Sequence, residues 1–365
     1  MSELQIRRDD YNICRVHPEQ DAGPLAEGEI EVAIDRFAYT ANNVTYAVVG
    51  DMIGYWQFFP PAGGEVDTWG ITPVWGFANV TKSNHADVPV GDRLYGYFPP
   101  ASTLRMLPGK VTDSHLIESS VHRRDLPAAY NSYSRVLSEP GYDGSMDDMR
   151  MLLWPLHITA FCIWDAAKVA DWYGAEQILI LSASSKTSIG LGFALAQDDQ
   201  APTTIGMTSG SSTQFVTELG LYDQVLDYDA IVDLDASRPT LVIDMSGNAD
   251  RMKALVNHLG DQLKFCIKVG MTHWEQAQQD DGLDASRNEF FFAPGHIAKR
   301  NKDWGADGFA RRTSQFMHAS AMYCQRWLKV RELDGVEALA DIYPDICHGR
   351  MPAEEGVVVQ MAASD

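Results

Sequence analysis

Residues 28–37, GEIEVAIDRF, alternate polar and apolar side chains with period two, the pattern of a strand that buries one face. Residues 72–98, TPVWGFANVTKSNHADVPVGDRLYGYF, repeat the theme: a β-rich run, a turn around Asn84 to Asp87, then Val90-Gly91-Asp92-Arg93 entering another apolar strand. Gly, Pro and Asn supply the turns, so the first third of the chain reads as antiparallel β. From about residue 155 the period changes. PLHITAFCIWDAAKVADWYG has apolar residues at helical spacing and is expected to close on Gly174. Strand-like ILILSA, TTIGMTS, DQVLDYD, TLVIDMS and KFCIKVGMT then follow, with helix-like GLGFALAQ and STQFVTELG among the segments between them. Strands apolar on both faces, separated by helices, predict a parallel sheet covered on both sides. The fold class is therefore α/β: a doubly wound parallel-sheet (Rossmann) domain over residues 151–319 beside a β-rich domain over 1–150. A helix over roughly 307–332 and the strand-like tail GVVVQMAAS predict that residues from about 320 to 365 return to complete the first domain.

The length of 365 residues agrees with two cores, because a single core stops growing at about 250–300 residues. A formal charge of −21 repels phosphate backbones and anionic lipid, which argues against nucleic acid and membrane as partners. The segment MSELQIRRDDYNICRV has no apolar run behind a basic start, and no stretch approaches the ~18 apolar residues of a membrane span, so a cytoplasmic location is expected. Cys14, Cys162, Cys266, Cys324 and Cys347 are scattered, without a CxxC pair or zinc-ligand spacing, so neither a metal nor a disulfide framework is expected.

The stretch with the most chemistry is LILSASSKTSIGLGFALAQ, residues 179–197. In an open parallel sheet the first strand-to-helix turn holds a pyrophosphate on the helix N-terminus, mostly through backbone N–H groups. Here Ser184, Ser185, Lys186, Thr187 and Ser188 stand where glycines are usual, followed by Ile189 and Gly190. The hydroxyls would add donors and Lys186 a charge. A strand meeting a helix capped by serine would look much the same, so both readings stand. After the next strand come Thr208, Ser209, Gly210, Ser211 and Ser212, with no carboxylate where an NAD-binding turn carries one for the ribose 2′-hydroxyl, which favours NADP(H) over NAD.

In the order of these pieces the chain resembles the medium-chain dehydrogenase/reductase superfamily, specifically its zinc-free branch of quinone oxidoreductases and enoyl reductases. VTKSNHADVPVGDRLYGYF looks like that family's strand-turn-VGDRV-strand element, PLHITAFCIWDAA like the helix before its nucleotide domain, SASSKTSIGLGFALAQ stands where it carries AxGGVG, and ELGLYDQVLDYD resembles its LGAdhvidY segment. Thr187 and Ser188 at the two-glycine positions are the main departure. Residues 110–150 and 272–310 match little.

The resemblance implies a GroES-like catalytic domain in the β-rich part, NADP(H) as cofactor and a homodimer. It also implies no zinc, since GFANV lacks the GHE-type histidine and the early strand lacks a cysteine. The segment ANNVTYAVVG matches the family's pocket-lining NFIDTYIRSG at Thr45, Tyr46 and Gly50. Tyr46 is the implied hydrogen-bond or proton donor to a substrate carbonyl, with Asn43 and Thr45 in support; a tyrosine packed with its hydroxyl on water is the alternative. Ser246 and Gly247 stand where the family's backbone approaches the cofactor, as do Gly270, Met271 and Thr272 at the end of the next strand, and Phe292 at the end of FFFAP.

Tyr55, Trp56, Phe58 and Phe59, with His273 and Trp274, are expected to wall an apolar pocket or to fill core. Lys299, Arg300, Lys302, Arg311 and Arg312 form a basic cluster that would greet an anion or simply be solvated. The expected activity is hydride transfer to an activated C=C or C=O bond of a small molecule such as an enone, enal, quinone or enoyl thioester. A nucleotide-binding or sensing protein without turnover, and a non-redox lyase on the same fold, are the alternatives.

Overall fold

A computed structural model describes residues 2–18, 23–48, 50–269 and 282–361. The chain divides into two compact units, one of Met1–Leu152 with Leu328–Asp365 and one of Leu153–Trp327. The first unit opens with β1 (Ser2–Arg7), β2 (Cys14–Pro18), β3 (Ile30–Tyr39), the helices α1 (Ala41–Val48) and α2 (Gly50–Ile53), and β4 (Trp69–Gly70). It continues with β5 (Val74–Ser83), β6 (Arg93–Phe98), β7 (Thr103–Met106), β8 (Pro108–Val111), β9 (His115–Glu118) and β10 (Ser132–Arg135), and leads into α3 (Asp147–Val169). Period-two burial along β3 puts Ile30, Val32 and Ile34 in the core, as the sequence pattern requires. Gly76 of β5 and Gly96 of β6 face each other across the ladder. A Cβ on Gly76 would lie 2.5 Å from the Arg36 carbonyl oxygen, and one on Gly96 would lie 2.3 Å from the ring of Tyr133. Arg93 ties this sheet to the start of α3, donating to Asp35 at 2.7 Å, to Asp147 at 3.0 Å and to the Tyr142 hydroxyl at 2.9 Å.

The second unit contains β11 (Gln177–Leu181), α4 (Lys186–Ala196), β12 (Thr203–Thr208), α5 (Gly210–Leu219), β13 (Gln224–Asp227), β14 (Thr240–Asp244), α6 (Ala249–Leu259), β15 (Leu263–Lys268), β16 (Asn288–Phe290), α7 (Ala293–Trp304) and α8 (Ala306–Cys324). Its six strands are all parallel, in the order β13-β12-β11-β14-β15-β16. Every residue of β11 and β14 is buried, which is why these segments read as continuous apolar runs. Helix α3 stops at Val169, short of the expected Gly174, because Asp171, Trp172, Tyr173 and Gly174 all take left-handed φ angles of 49–70°. Buried Trp172 and Tyr173, stacked 4.1 Å over Phe265, anchor that turn.

Two expectations are corrected. The run 307–332 is not one helix: α8 ends at Cys324, then β17 (Lys329–Asp334), α9 (Gly335–Cys347) and β18 (Glu355–Gln360) follow. In the first unit β18 lies between β3, antiparallel, and β17, parallel, in a sheet ordered β17-β18-β3-β5-β6-β10-β9-β8 with β7 also on β3. Buried Val336, Leu339, Tyr343 and Ile346 give α9 its packed face. Second, the basic cluster is not a uniform solvated patch. Arg300 is buried, its Nε donates to Asp165 at 2.5 Å, and His296 meets the same carboxylate at 2.6 Å, joining α7 to α3. Burial pushes the Asp165 carboxyl up, and these two neighbours more than reverse it. Arg312, like Arg300, lies over the Trp304 ring.

Gly76→Ala should destabilise the first unit by on the order of 2–3 kcal/mol, because the clash is with rigid backbone. Urea unfolding with an unchanged m-value checks it; an unchanged midpoint would refute the close-approach argument.

Candidate functional site

The strand order of the second unit reverses direction between β11 and β14, so the switch point where ligands of such sheets bind lies beyond the carboxyl ends of those strands. The turn there is short: four residues, Ser182–Ser185, before α4 begins at Lys186. Ser182 takes φ +56°, a left-handed conformation usually left to glycine. Two tyrosines hold it. The Ser182 N–H donates to the Tyr228 hydroxyl at 2.8 Å, while the Tyr222 hydroxyl lies 3.1 Å from the Ala183 carbonyl and 3.0 Å from that of Ser188. Neither tyrosine was assigned a role from sequence, although both fall within the family-like segment LYDQVLDY.

The hydroxyls of this turn are directed inward. Ser185 caps α4 by accepting from the Ser188 N–H, and donates to Ser188 Oγ at 2.9 Å. Ser188 is fully buried, with Oγ 3.2 Å from Met245 Sδ. Ser184 Oγ accepts from Thr208 Oγ1 at 3.2 Å, joining the tips of β11 and β12. Lys186 and Thr187 begin the helix and are half-buried. Ile189 and Gly190 are not part of the turn: both face the interior from within α4. A Cβ on Gly190 would sit 2.7 Å from His157 Cδ2 and 3.1 Å from Ala160 Cβ, so this glycine permits helix-to-helix approach.

At the tip of β12, Ser209 stands at the N-cap position of α5 without a side-chain bond to a helix N–H, its Oγ 3.1 Å from Ser211 Oγ and 3.4 Å from Ser212 Oγ. The expectation that no carboxylate stands at this turn is overturned. Asp227, at the end of the adjacent β13, places Oδ2 2.5 Å from where a Cβ on Gly210 would be, while its Oδ1 accepts the Asp229 N–H. No carboxylate is local to the β12–α5 turn; the parallel pairing Thr208–Asp227 brings this one in from β13.

Beyond β14, Ser246 and Gly247 form a tight loop around Asp244. Asp244 Oδ1 accepts from Ser246 N–H at 2.8 Å, Ser246 Oγ at 2.7 Å and Gly247 N–H at 3.2 Å, and Gly247 has φ +61°. Burial nevertheless pushes the Asp244 carboxyl up. Phe292 is the N-cap of α7, partly exposed, two residues past β16. Gly270, Met271 and Thr272, and with them His273 and Trp274, lie outside the described residues.

In the first unit Asn43 is a structural cap. Its Oδ1 accepts the Thr40 N–H at 2.8 Å and its Nδ2 donates to the Pro73 carbonyl at 2.7 Å, so its amide ties the start of α1 to the entry of β5. Thr45 is half-buried on α1. Tyr46 is buried in an aromatic cluster, its ring 4.6 Å from Tyr55 and 5.8 Å from Tyr97. Burial pushes its phenol well up, which keeps it neutral and a donor rather than a base. Tyr55 and Tyr130 share a 2.9 Å hydrogen bond, and Tyr97 Oη is buried without a partner. Beneath them Arg123 is almost fully buried and donates to the neutral oxygens of Asn131, Tyr133 and Tyr130. Among the described residues no group of three or more His, Cys, Asp or Glu is arranged to hold a metal, and no helix is long and apolar enough to cross a membrane.

A family model described as "Protein of unknown function (DUF2855)" matches residues 37–352. The chain belongs to that family. No curated protein matches its sequence. Among solved structures, the fold of this DUF2855 protein is similar to CurA from Vibrio vulnificus in complex with NADPH, at 14% identity and a TM-score of 0.60 over 96% of this chain and 95% of that one. It is also similar to a mycobacterial protein complexed with NADPH, at 13% identity and a TM-score of 0.59 over 99% of both chains. For the Escherichia coli quinone oxidoreductase complexed with NADPH the figures are 12% and 0.58, over 99% of this chain and all of the other. These likenesses establish the two-part fold expected from the sequence resemblance.

His157, packed on Gly190 with Nδ1 2.8 Å from Ser320 Oγ, gives a pH test of this region. Burial lowers its pKa to about 4 from an ordinary 6.5. The unfolded chain therefore takes up a proton that the folded one refuses, and stability falls as pH drops from about 6.5 towards about 4, by up to roughly 3 kcal/mol. Urea unfolding at pH 7 and pH 5 should show a smaller loss in His157→Gln than in the wild type; equal losses would rule out His157 as the source.

Proposed function

We propose that this protein is an NADP(H)-dependent, zinc-independent reductase that passes hydride to an activated C=C or C=O bond, as in an enone, enal, quinone or enoyl thioester. The observation that carries the reading is the strand order β13-β12-β11-β14-β15-β16, with a short turn into α4 at its switch point. The residues present fit a dinucleotide without the usual glycines. Serine side chains that would crowd a pyrophosphate are folded back onto Thr208, Ser188 and Met245, so the turn offers backbone and a helix N-terminus. Gly247, left-handed at the end of β14, leaves room for close approach there. Asp227 beside Gly210 removes the argument from a missing carboxylate, so the preference for the phosphorylated cofactor rests on the three similar structures that hold NADPH.

When bound, the nicotinamide supplies the hydride. The chain's part is orientation and charge stabilisation. Tyr46, held neutral by burial, donates a hydrogen bond to the substrate oxygen as negative charge develops on it. Ser184, Ser185 and Ser188 shape the turn, and Asn43 fixes the start of the helix that carries Tyr46. One observation favours a second reading, a nucleotide-binding protein without turnover: the Asn43 amide is used structurally at both ends, accepting the Thr40 N–H and donating to the Pro73 carbonyl.

Titration of the purified protein with NADPH and NADH, followed by calorimetry, should give tight NADPH and weaker NADH binding; failure to bind either would end the reductase reading. Asp227→Asn, which removes a charge beside the ribose end, should tighten NADPH by about three- to tenfold while leaving NADH unchanged or weaker. An unchanged ratio of the two dissociation constants would place Asp227 away from the cofactor. With a substrate in hand from a panel of enals and quinones, Tyr46→Phe should lower kcat by about 10²-fold with little effect on NADPH binding. Turnover equal to wild type removes Tyr46 from the mechanism, and NADPH binding without turnover of any compound selects the second reading.

A further inference from the structure

A dinucleotide seated on the turn after β11 directs its adenosine past the tip of β12, and a 2′-phosphate there calls for a cation. The chain between β11 and β14 brings none of its own to that place. Residues 187–237 contain neither Lys nor Arg, while Asp227 adds a carboxylate at the β12 tip. The two cations that border this run lie elsewhere. Lys186 is close enough to His157 and Cys324 for its charge to act on both, which sets it towards α3 and α8. Arg238 donates to the Glu176 carbonyl at 2.9 Å and to Thr203 Oγ1 at 3.2 Å, at the amino ends of β11 and β12 and so at the opposite edge of the sheet.

A cation reaches the carboxyl edge from another element. Arg251, in the first turn of α6, lays its guanidinium 3.7 Å from the centroid of the Tyr228 ring. Tyr228 directly follows Asp227 at the end of β13, and its hydroxyl accepts the Ser182 N–H, so the ring spans from the tip of β13 to the turn after β11. In the sheet β12 lies between those two strands, so the ring and the cation on it stand beside the β12 tip that Asp227 also reaches. Local packing gives no reason for a cation here. Among the described residues no hydrogen bond or ion pair takes the guanidinium, in a chain with 50 acidic residues against 29 basic ones. The first turn of a helix is also the positive end of its dipole, where a cation is unfavourable. Asn248 Oδ1 accepts the Arg251 N–H at 3.0 Å, so the backbone is satisfied and the side-chain charge is the unmatched part. A guanidinium held flat on an aromatic ring keeps the N–H groups along its edge for an anion, and phosphate oxygens match that fork.

We infer that Arg251 is the residue that selects the phosphorylated dinucleotide, pairing with the adenosine 2′-phosphate and offsetting the repulsion from Asp227, with Tyr228 as the platform that holds the guanidinium in place. This role rests on the cofactor reading proposed above and names the side chain that decides between its two forms. It does not depend on hydride transfer, since it concerns only the adenosine end.

The test is calorimetric titration of the full chain with NADPH, NADH, adenosine 2′,5′-bisphosphate and adenosine 5′-monophosphate. Arg251→Gln should weaken NADPH and the bisphosphate by about tenfold or more while leaving NADH and the monophosphate within about twofold, which also shows that the variant is folded. Arg251→Lys, which keeps the charge and loses the fork, should fall between the two. Wild-type protein that binds none of the four ligands overturns the cofactor reading and the role of Arg251 with it. If the wild type binds NADPH no more tightly than NADH, or if Arg251→Gln leaves the ratio of their dissociation constants unchanged, the role of Arg251 is overturned and dinucleotide binding stands. Equal weakening of all four ligands, or loss of NADPH without loss of the bisphosphate, overturns it as well.

Discussion

A strand-to-helix turn without glycine has to be held in shape by groups outside it, and the second unit is arranged around that requirement. The left-handed Ser182 costs about 1–2 kcal/mol on its own. Tyr228 takes the N–H of that residue and the Tyr222 hydroxyl faces the carbonyls of Ala183 and Ser188, so both sides of the turn are hydrogen-bonded to side chains from the β13 region. Gly192 and Gly206 then have a second use, because a Cβ on either would press on the Tyr222 ring, at 3.1 and 2.9 Å respectively. The glycines absent from the turn reappear around the tyrosine that supports it. Serine hydroxyls complete the arrangement by bonding to one another and to Thr208, which leaves the start of α4 presented by backbone.

How much of this was legible in the sequence follows from which interactions are local. Period-two burial over Ile30–Ile34 of β3 and the continuous apolar runs of β11 and β14 are properties of a few consecutive side chains, and they survive in the structure, the alternation of β3 breaking only at the register shift after Ile34. The stop of α3 at Val169 and the break of 307–332 into α8, β17 and α9 were not legible, because each depends on distant packing. Trp172 and Tyr173 hold a left-handed turn through contacts with the rest of the unit, and the strand at 329–334 exists because β18 pairs with it. The site divides along the same line. That a strand-to-helix turn lies near Ser184 and Ser185 could be read; that Lys186 to Gly190 already belong to α4, and that Asp227 reaches Gly210 from another strand, could not.

The first unit poses the opposite electrostatic problem. Arg123 carries a full charge into an almost dry interior and is met by the oxygens of Asn131, Tyr130 and Tyr133, with the rings of Phe58 and Phe59 at 5.2 and 5.0 Å. A buried cation satisfied only by dipoles and π-faces stabilises any negative charge that develops nearby more than it would in water. The same burial drives the phenols of Tyr46, Tyr55, Tyr97 and Tyr130 up, so they remain neutral donors at any physiological pH. Donors kept neutral above a buried positive charge are suited to receiving an electron-rich oxygen and unsuited to removing a proton. That combination is the physical ground on which the proposed reductase is preferred to a lyase that would begin by removing a proton.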